Sequence, residues 1–219
     1  MLEIIGLSHT YRNGNIGISD ISFSLASGKI LAVAGNNGSG KTTLLNCLYE
    51  KLGDRSAFVP QFFNISSISV RDFVGLGMVR NLKPFQLTYS STQKSRINEI
   101  LDITGLLNIC EKPMTEISGG ERQTAKIAQS LVVNPEILLL DEPTSHLDLA
   151  NTSKVMSIIR EICIKENACA VVILHDIYSI RKYCDYVLML KCGKQFGFCD
   201  VNEFSDGNIS ELFSVNYKI

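Results

Sequence analysis

The chain has 219 residues, 45% of them hydrophobic, with 21 basic and 22 acidic side chains and a formal net charge of -1. This much apolar content can bury the core of one domain carrying a smaller inserted subdomain, and it excludes a disordered chain. The near-neutral balance lacks the basic footprint of a nucleic-acid binder, so no nucleic-acid partner is expected; the longest apolar runs, 137–140 and 168–174, fall far short of the roughly 20 residues of a membrane-spanning helix.

Leu2-Glu3-Ile4-Ile5-Gly6-Leu7 follows Met1 as a strand, without the basic-then-apolar pattern of a secretory leader, so a cytoplasmic location is expected. Ile21, Phe23 and Leu25 alternate with polar residues as a second strand, Ser27-Gly28 turns the chain, and Ile30–Ala34 is a continuous apolar strand that runs into a Gly-rich loop. A helix is predicted over Lys41–Leu52 and a strand over Ser56–Val59, which Pro60-Gln61 ends because Pro cannot continue the ladder. Residues 62–117 change character and read as a mostly helical insertion. Within it Ser69-Val70-Arg71-Asp72 reads as a capping box opening a helix through about Asn81, and Ile97, Ile100 and Leu101 sit at helical spacing over 93–104. A helix over 120–133 stops at Asn134-Pro135, and the apolar strand Ile137–Leu140 then delivers Asp141-Glu142. A helix over 149–166, a strand over 170–174, a short helix, and strands near 186–190 and 194–197 complete the chain. This alternation predicts an α/β fold with a sheet covered on both faces. Residues 1–61 and 118–219 form the core, and 62–117 the helical subdomain.

The seven cysteines, at 47, 110, 163, 169, 184, 192 and 199, include no Cys-x-x-Cys pair and are odd in number. They read as reduced thiols, and Cys192 and Cys199 lack the paired spacing of a metal site.

Chemistry enters at Gly35-Asn36-Asn37-Gly38-Ser39-Gly40-Lys41-Thr42. Glycines at 35, 38 and 40 let backbone N–H groups curl around phosphate oxygens, and the helix beginning near Lys41 points its positive end at the same place. Such a loop assigns Lys41 to the β- and γ-phosphates of ATP and Thr42 to Mg²⁺, with Thr43 completing the ATP-binding set. Asp141, ending an apolar strand, is a candidate Mg²⁺ ligand, and Glu142 a candidate base for the attacking water; taken alone, the pair also suits a helix cap or a solvated turn. Ser118-Gly119-Gly120-Glu121-Arg122-Gln123 is a second motif, a capping box whose Ser118, Gly119 and Gly120 leave N–H groups and a hydroxyl facing outward as an anion site, although a capping box alone more often just starts a helix. His175 follows the apolar 170–174 strand; a lone His there is usually structural or solvated.

In this order the phosphate loop, Ser118–Gln123 and Asp141-Glu142 resemble the ATP-binding subunits of ABC transporters, over nearly the whole chain. The resemblance implies a P-loop NTPase of the ABC ATPase type, with a RecA-like core, an antiparallel β-subdomain and an inserted α-helical subdomain. Only residues 42–60 separate Lys41 from Gln61, where typical relatives carry an extra antiparallel segment, so the β-subdomain is expected to be reduced. The resemblance also implies that Tyr11 stacks on adenine, although the residues alone also allow a tyrosine packed beside the first strand. By the same resemblance Gln61 touches Mg²⁺ and the attacking water, His175 contacts the γ-phosphate, and Ser145-His146-Leu147-Asp148 crosses a dimer interface. Ser118, Gly119, Gly120 and Asp148 then contact ATP held by a second copy in a head-to-tail homodimer.

Phe58-Val59-Pro60-Gln61, residues 70–78, Leu174-His175-Asp176 and Tyr183-Cys184-Asp185 are similar to ATPases of importers for iron chelates, haem, cobalamin and molybdate or tungstate. The molybdate-type member is nearest, through Val59-Pro60-Gln61-Phe62-Phe63. The implied function is an ATP-hydrolysing motor that imports a metal chelate or oxyanion. It is peripheral on the cytoplasmic membrane face, beneath a polytopic permease that works with an extracytoplasmic solute-binding protein. The alternatives are the motor of an exporter and, as a different class, a soluble ABC protein acting on DNA or ribosomes, whose paired ATPase units, coiled coil or basic arm are missing here. Phe62, Phe63 and Ile65 suit either a docking site for a permease helix or the subdomain's own core.

Overall fold

The computed structural model describes residues 1–61, 67–81 and 88–213. Phe62, Phe63 and Ile65 lie outside the described residues. Strands β1 (Leu2–Thr10), β2 (Ile16–Leu25), β3 (Ile30–Ala34), β4 (Ser56–Val59), β5 (Ile137–Leu140), β6 (Cys169–Ile173), β7 (Tyr186–Lys191) and β8 (Lys194–Asp200) join in one sheet ordered β1-β2-β8-β7-β3-β6-β5-β4. The five strands from β4 to β7 are parallel, whereas β8 runs antiparallel to β7 and β1 antiparallel to β2. Between helix α1 (Lys41–Leu52) and β4 stands only the 3-10 turn Gly53–Arg55. That short connection leaves room for a core strand and for no antiparallel hairpin.

Strand alternation divides the core in two. Ile30, Ala32 and Ala34 of β3, Leu138 and Leu140 of β5, and Ala170 and Val172 of β6 face one apolar cluster. Leu31, Val33, Leu139, Val171 and Ile173 face the other, closed by Leu44, Leu45 and Leu48 of α1 and by β1 and β2. Burial on both faces explains why these central strands are apolar at every position.

On the first face lie α4 (Gly119–Leu131), α5 (Leu149–Lys165) and the helical segment, with α2 (Val70–Gly75) and α3 (Ser91–Ile103). Val70, Phe73, Val74, Ile97, Ile100 and Leu101 join the same cluster as the sheet residues, so the helical segment shares its core with the sheet. The helix expected through Asn81 stops at Gly75 and continues as a 3-10 turn over Leu76–Asn81. Gly77 lies in this turn: a Cβ there would stand 2.0 Å from the Gln129 carbonyl oxygen of α4, so the two backbones meet too closely for any side chain at this position. Ser69 caps α2 by accepting from the Asp72 N–H at 3.0 Å, and its hydroxyl donates to the Asp72 carboxylate. The Asp72 side chain is thus engaged by the Ser69 hydroxyl.

Helix α3 begins earlier than its apolar spacing indicates, because Ser90 and Gln93 form a reciprocal capping box. After β6 come α6 (Ile177–Tyr183) and, beyond β8, α7 (Asp206–Phe213), which no sequence pattern had marked. At the foot of β3, Asp185 accepts from the Ile30 N–H (2.8 Å), Lys29 (3.0 Å) and Arg160 (2.6 Å), fixing the strand that feeds the phosphate loop.

Candidate functional site

The phosphate loop joins the end of β3 to the start of α1 and is held by backbone contacts that only glycine admits. A Cβ on Gly35 would lie 2.3 Å from the Leu190 carbonyl oxygen; one on Gly40, whose φ is +100°, would lie 2.7 Å from the Gly17 carbonyl oxygen. Gly40 caps α1 without a side chain, so no protein side chain occupies the helix's free N–H end at that position. The Ser39 N–H closes a turn on the Asn36 carbonyl (3.1 Å), and Ser39 in turn accepts from the Gly193 N–H (3.1 Å). Lys41 is buried, its ammonium donating to the carbonyls of Gly35 (2.8 Å) and Asn36 (3.0 Å). Burial pulls its pKa down, against the opposing pull of Glu142 and Asp141.

The loop opens on a cleft of about 360 Å³ lined by Asn37, Gly38, Gly40, Lys41, Thr42 and Thr43 together with Tyr11, Gly17 and Glu142. Tyr11 is half-exposed at its mouth, shares a 2.7 Å hydrogen bond between its hydroxyl and that of Thr43, and meets the His9 ring edge-on at 4.8 Å.

The parallel strands bring Glu142 to this cleft, with Asp141 directly before it in the chain. Asp141 directly follows β5 and is buried; burial raises its pKa and Glu142 adds to the rise, while Thr42, Lys41 and His175 oppose it. One Asp141 carboxylate oxygen, Oδ1, is buried without a hydrogen-bond partner, and the Thr42 side chain bonds the same carboxyl. A buried anionic oxygen left over beside a threonine hydroxyl fits a small hard cation such as Mg²⁺. Among the described residues no group of three or more His, Cys, Asp or Glu forms an all-protein metal cage, and all seven cysteines are free.

Glu142 sits in left-handed backbone (φ +50°), a conformation uncommon outside glycine and frequent at functional sites. Its two carboxylate oxygens are divided between two partners: Oε2 accepts from Gln61 Nε2 at 2.7 Å, and Oε1 bonds His175 Nε2 at 2.6 Å. Gln61 arrives from the end of β4 and His175 from the end of β6, flanking β5. The structure thus brings together residues separated by 81 and 33 positions in the chain.

Ser118 and Asp148 lie outside the lining of this cleft. Ser118 caps α4 in a complete capping box: its Oγ accepts from the Glu121 N–H (3.2 Å), and Glu121 accepts from the Ser118 N–H (2.7 Å). That backbone hydrogen bond holds the Glu121 carboxyl below the usual range. Ser118 and Gly119 are exposed, whereas Gly120 is buried, and a Cβ on it would stand 2.6 Å from Asn151 Oδ1. Asp148, also exposed, caps α5 by accepting from the Asn151 N–H (2.8 Å). Asn151 therefore joins the starts of α4 and α5 into one surface.

A further residue of this region is Lys126 on α4, 5% exposed, whose ammonium donates to the Gln61 carbonyl (3.1 Å) and to Gln123 Oε1 (3.0 Å). Burial lowers its pKa to about 8, against the pull of Asp141. Nothing local distinguishes this lysine from a solvated helical one; only the packing of α4 does.

The family model described as ABC transporter matches residues 18–145. The chain is 31% identical to the molybdate import ATP-binding protein MolC of Haemophilus influenzae, over 97% of this chain and 87% of that protein. It superposes with a TM-score of 0.86 and 30% identity on a chain from an inward-facing ABC transporter assigned to the metal-chelate type, covering 97% of this chain and 88% of that one. The fold also matches, with a TM-score of 0.77 and 23% identity, the ATP-binding cassette MJ0796 solved as a dimer in a post-hydrolysis state with ADP and Pi, covering 92% and 99%. The chain belongs to the ATP-binding subunits of ABC transporters and is an ATPase.

Proposed function

We propose that this subunit drives import of a metal chelate or oxyanion, working as a head-to-tail pair on the cytoplasmic face of the membrane beneath a polytopic permease supplied by an extracytoplasmic binding protein. The observation that carries the catalytic part is the hydrogen-bonded set Gln61–Glu142–His175 at the mouth of the phosphate cleft. Glu142 accepts the proton of the attacking water, Gln61 orients that water, and His175 holds the carboxylate and meets the γ-phosphate. Residues 35–43 cradle the ATP phosphates and Tyr11 faces the adenine. Mg²⁺ would be held by Thr42, Gln61 and Asp141, and when bound it neutralises phosphate charge. Exposure of Ser118, Gly119 and Asp148 away from their own chain's cleft supports contact with ATP held by the second copy.

Support for import comes from the relative named for molybdate import, and support for a metal chelate as cargo from the structural neighbour of the metal-chelate type. Among the described residues no helix is long and apolar enough to cross a membrane. A groove lined by Tyr49, Phe58, Leu76, Gly77 and Val133 on its apolar side and by Asp54, Ser56, Gln129 and Ser130 on its polar side, with Leu76 exposed, suits a short helix of a permease.

Two measurements test the proposal. Glu142→Gln is expected to keep ATP binding while turnover falls by about 10²- to 10⁴-fold; wild-type turnover would remove Glu142 from the role of base. Reconstitution with the permease in vesicles, with ATP supplied on the side of this subunit, is expected to move molybdate or a ferric chelate toward that side; movement away from it would make the complex an exporter.

A further inference from the structure

Strand β4 ends at Val59, and Pro60, lacking an N–H, cannot extend the ladder. Gln61 is therefore placed by other means, and two contacts are seen: its side chain on Glu142 and its carbonyl on the ammonium of Lys126. Lys126 lies eight residues beyond Ser118 on α4, about 12 Å along the helix. A cation at a buried position is costly, and an apolar side chain of similar length would fill the same volume without that cost. Retaining lysine here therefore calls for a role other than packing.

We propose that Lys126 is a positioning residue for hydrolysis: it anchors the Gln61 main chain to the helix that begins with Ser118, and so sets where the Gln61 amide meets Glu142. The link makes the attitude of α4, whose exposed start faces outward, an input to the hydrogen-bond partner of the catalytic carboxylate. The inference rests on the role given to Gln61 above. It goes further in identifying what holds Gln61 and in naming a physical connection between the two halves of the composite site.

The test is a double-mutant cycle on the full-length purified subunit, comparing Lys126→Met, Gln61→Ala and the double variant for thermal stability, ATP affinity and turnover. Lys126→Met is expected to melt at or above the wild-type temperature, because it removes a buried charge, and to bind ATP within about threefold of wild type, because Lys126 is not among the residues lining the phosphate cleft. Its kcat is expected to fall on the order of 10- to 100-fold, the scale of a misplaced catalytic partner. Adding Lys126→Met to Gln61→Ala is expected to cost nothing further, since the side chain it positions is already gone. Lys126→Gln, which keeps a donor with a shorter reach, is expected to lose less than Lys126→Met, and it decides the matter if the methionine variant fails to fold. Wild-type turnover in the folded Lys126 variant, or losses that multiply in the double variant, would overturn the proposal while leaving Gln61 in its role. Wild-type turnover in Gln61→Ala would instead overturn the role of Gln61, and the anchoring role with it.

Discussion

Two helices of this protein begin at glycines, and their surroundings are opposite. At the start of α1 the glycines are crowded: Gly35 and Gly40 touch backbone carbonyls of Leu190 and Gly17, no side chain caps the helix, and a lysine is folded into the loop. At the start of α4 a serine and a glutamate cap the helix completely, and Gly119 has open space around it. The first is an anion site assembled by its own fold, its N–H groups kept from side-chain caps. The second is stable by itself and presents its surface outward. Under the proposed function the uncapped start of α1 holds the ATP of its own chain, and the capped, exposed start of α4 faces the ATP of the second copy.

The largest expected effect comes from adding a methyl group to each site. Gly40→Ala forces φ near +100° on an alanine and a clash with the Gly17 carbonyl, so it is expected to cost about 3 kcal/mol by thermal denaturation and to abolish ATP binding. Gly119→Ala meets nothing, so stability and ATP binding by the isolated subunit are expected to stay at wild-type level while turnover by the pair falls. Equal destabilisation by both would erase the contrast between the sites.

Acid weakens both anchors next. Burial pushes the Asp185 carboxyl up, but the Ile30 N–H, Arg160 and Lys29 outweigh it and hold it below the ordinary value; at the other site the Ser118 N–H lowers Glu121. Because both carboxyls have depressed folded values, the stability they contribute is fully present above the unfolded pKa of about 4 and is lost as the pH falls through the folded values. Asp185→Asn is expected to remove about 2 kcal/mol at neutral pH and to flatten the acid limb of the stability curve. Chemical denaturation from pH 7 down to pH 3 checks this, and an unchanged acid limb would take Asp185 out of the account. The smallest effect is Ser118→Ala, expected to cost about 1 kcal/mol as a lost cap, read from the same denaturation midpoint.

Much of this was legible in the sequence, for physical reasons that differ by residue. Runs such as 30–34 and 137–140 declare central parallel strands because both of their faces are buried, and the loop glycines declare themselves because backbone geometry admits nothing else. Ser118 and Glu121 reveal a helix start through local hydrogen bonds alone. Tertiary contacts were not legible. The 3-10 stretch after Gly75 contains the close approach of Gly77 to α4, and α7 starts where Ser205 and Asn208 exchange the hydrogen bonds of a helix start. Tyr11 shows a hydroxyl contact to Thr43 that no pattern announces, and Lys126 reads as a solvated lysine until its helix is packed. Gly120, expected at an outward surface, is buried against Asn151.

The central claim is that the helix start at Ser118 acts on the nucleotide of a second copy. Lys41→Ala and Ser118→Arg each spoil both sites of their own homodimer, because every site draws one motif from each chain. A mixed pair keeps one sound site, formed by the phosphate loop of the Ser118→Arg chain and the Ser118 region of the Lys41→Ala chain. The direct measurement is ATP turnover of an equimolar mixture against each mutant alone. With half the pairs mixed and one of their two sites sound, the account predicts two inactive parents and a mixture with about a quarter of wild-type turnover. A mixture as inactive as its parents, or a Ser118→Arg protein that hydrolyses ATP by itself at the wild-type rate, would contradict it.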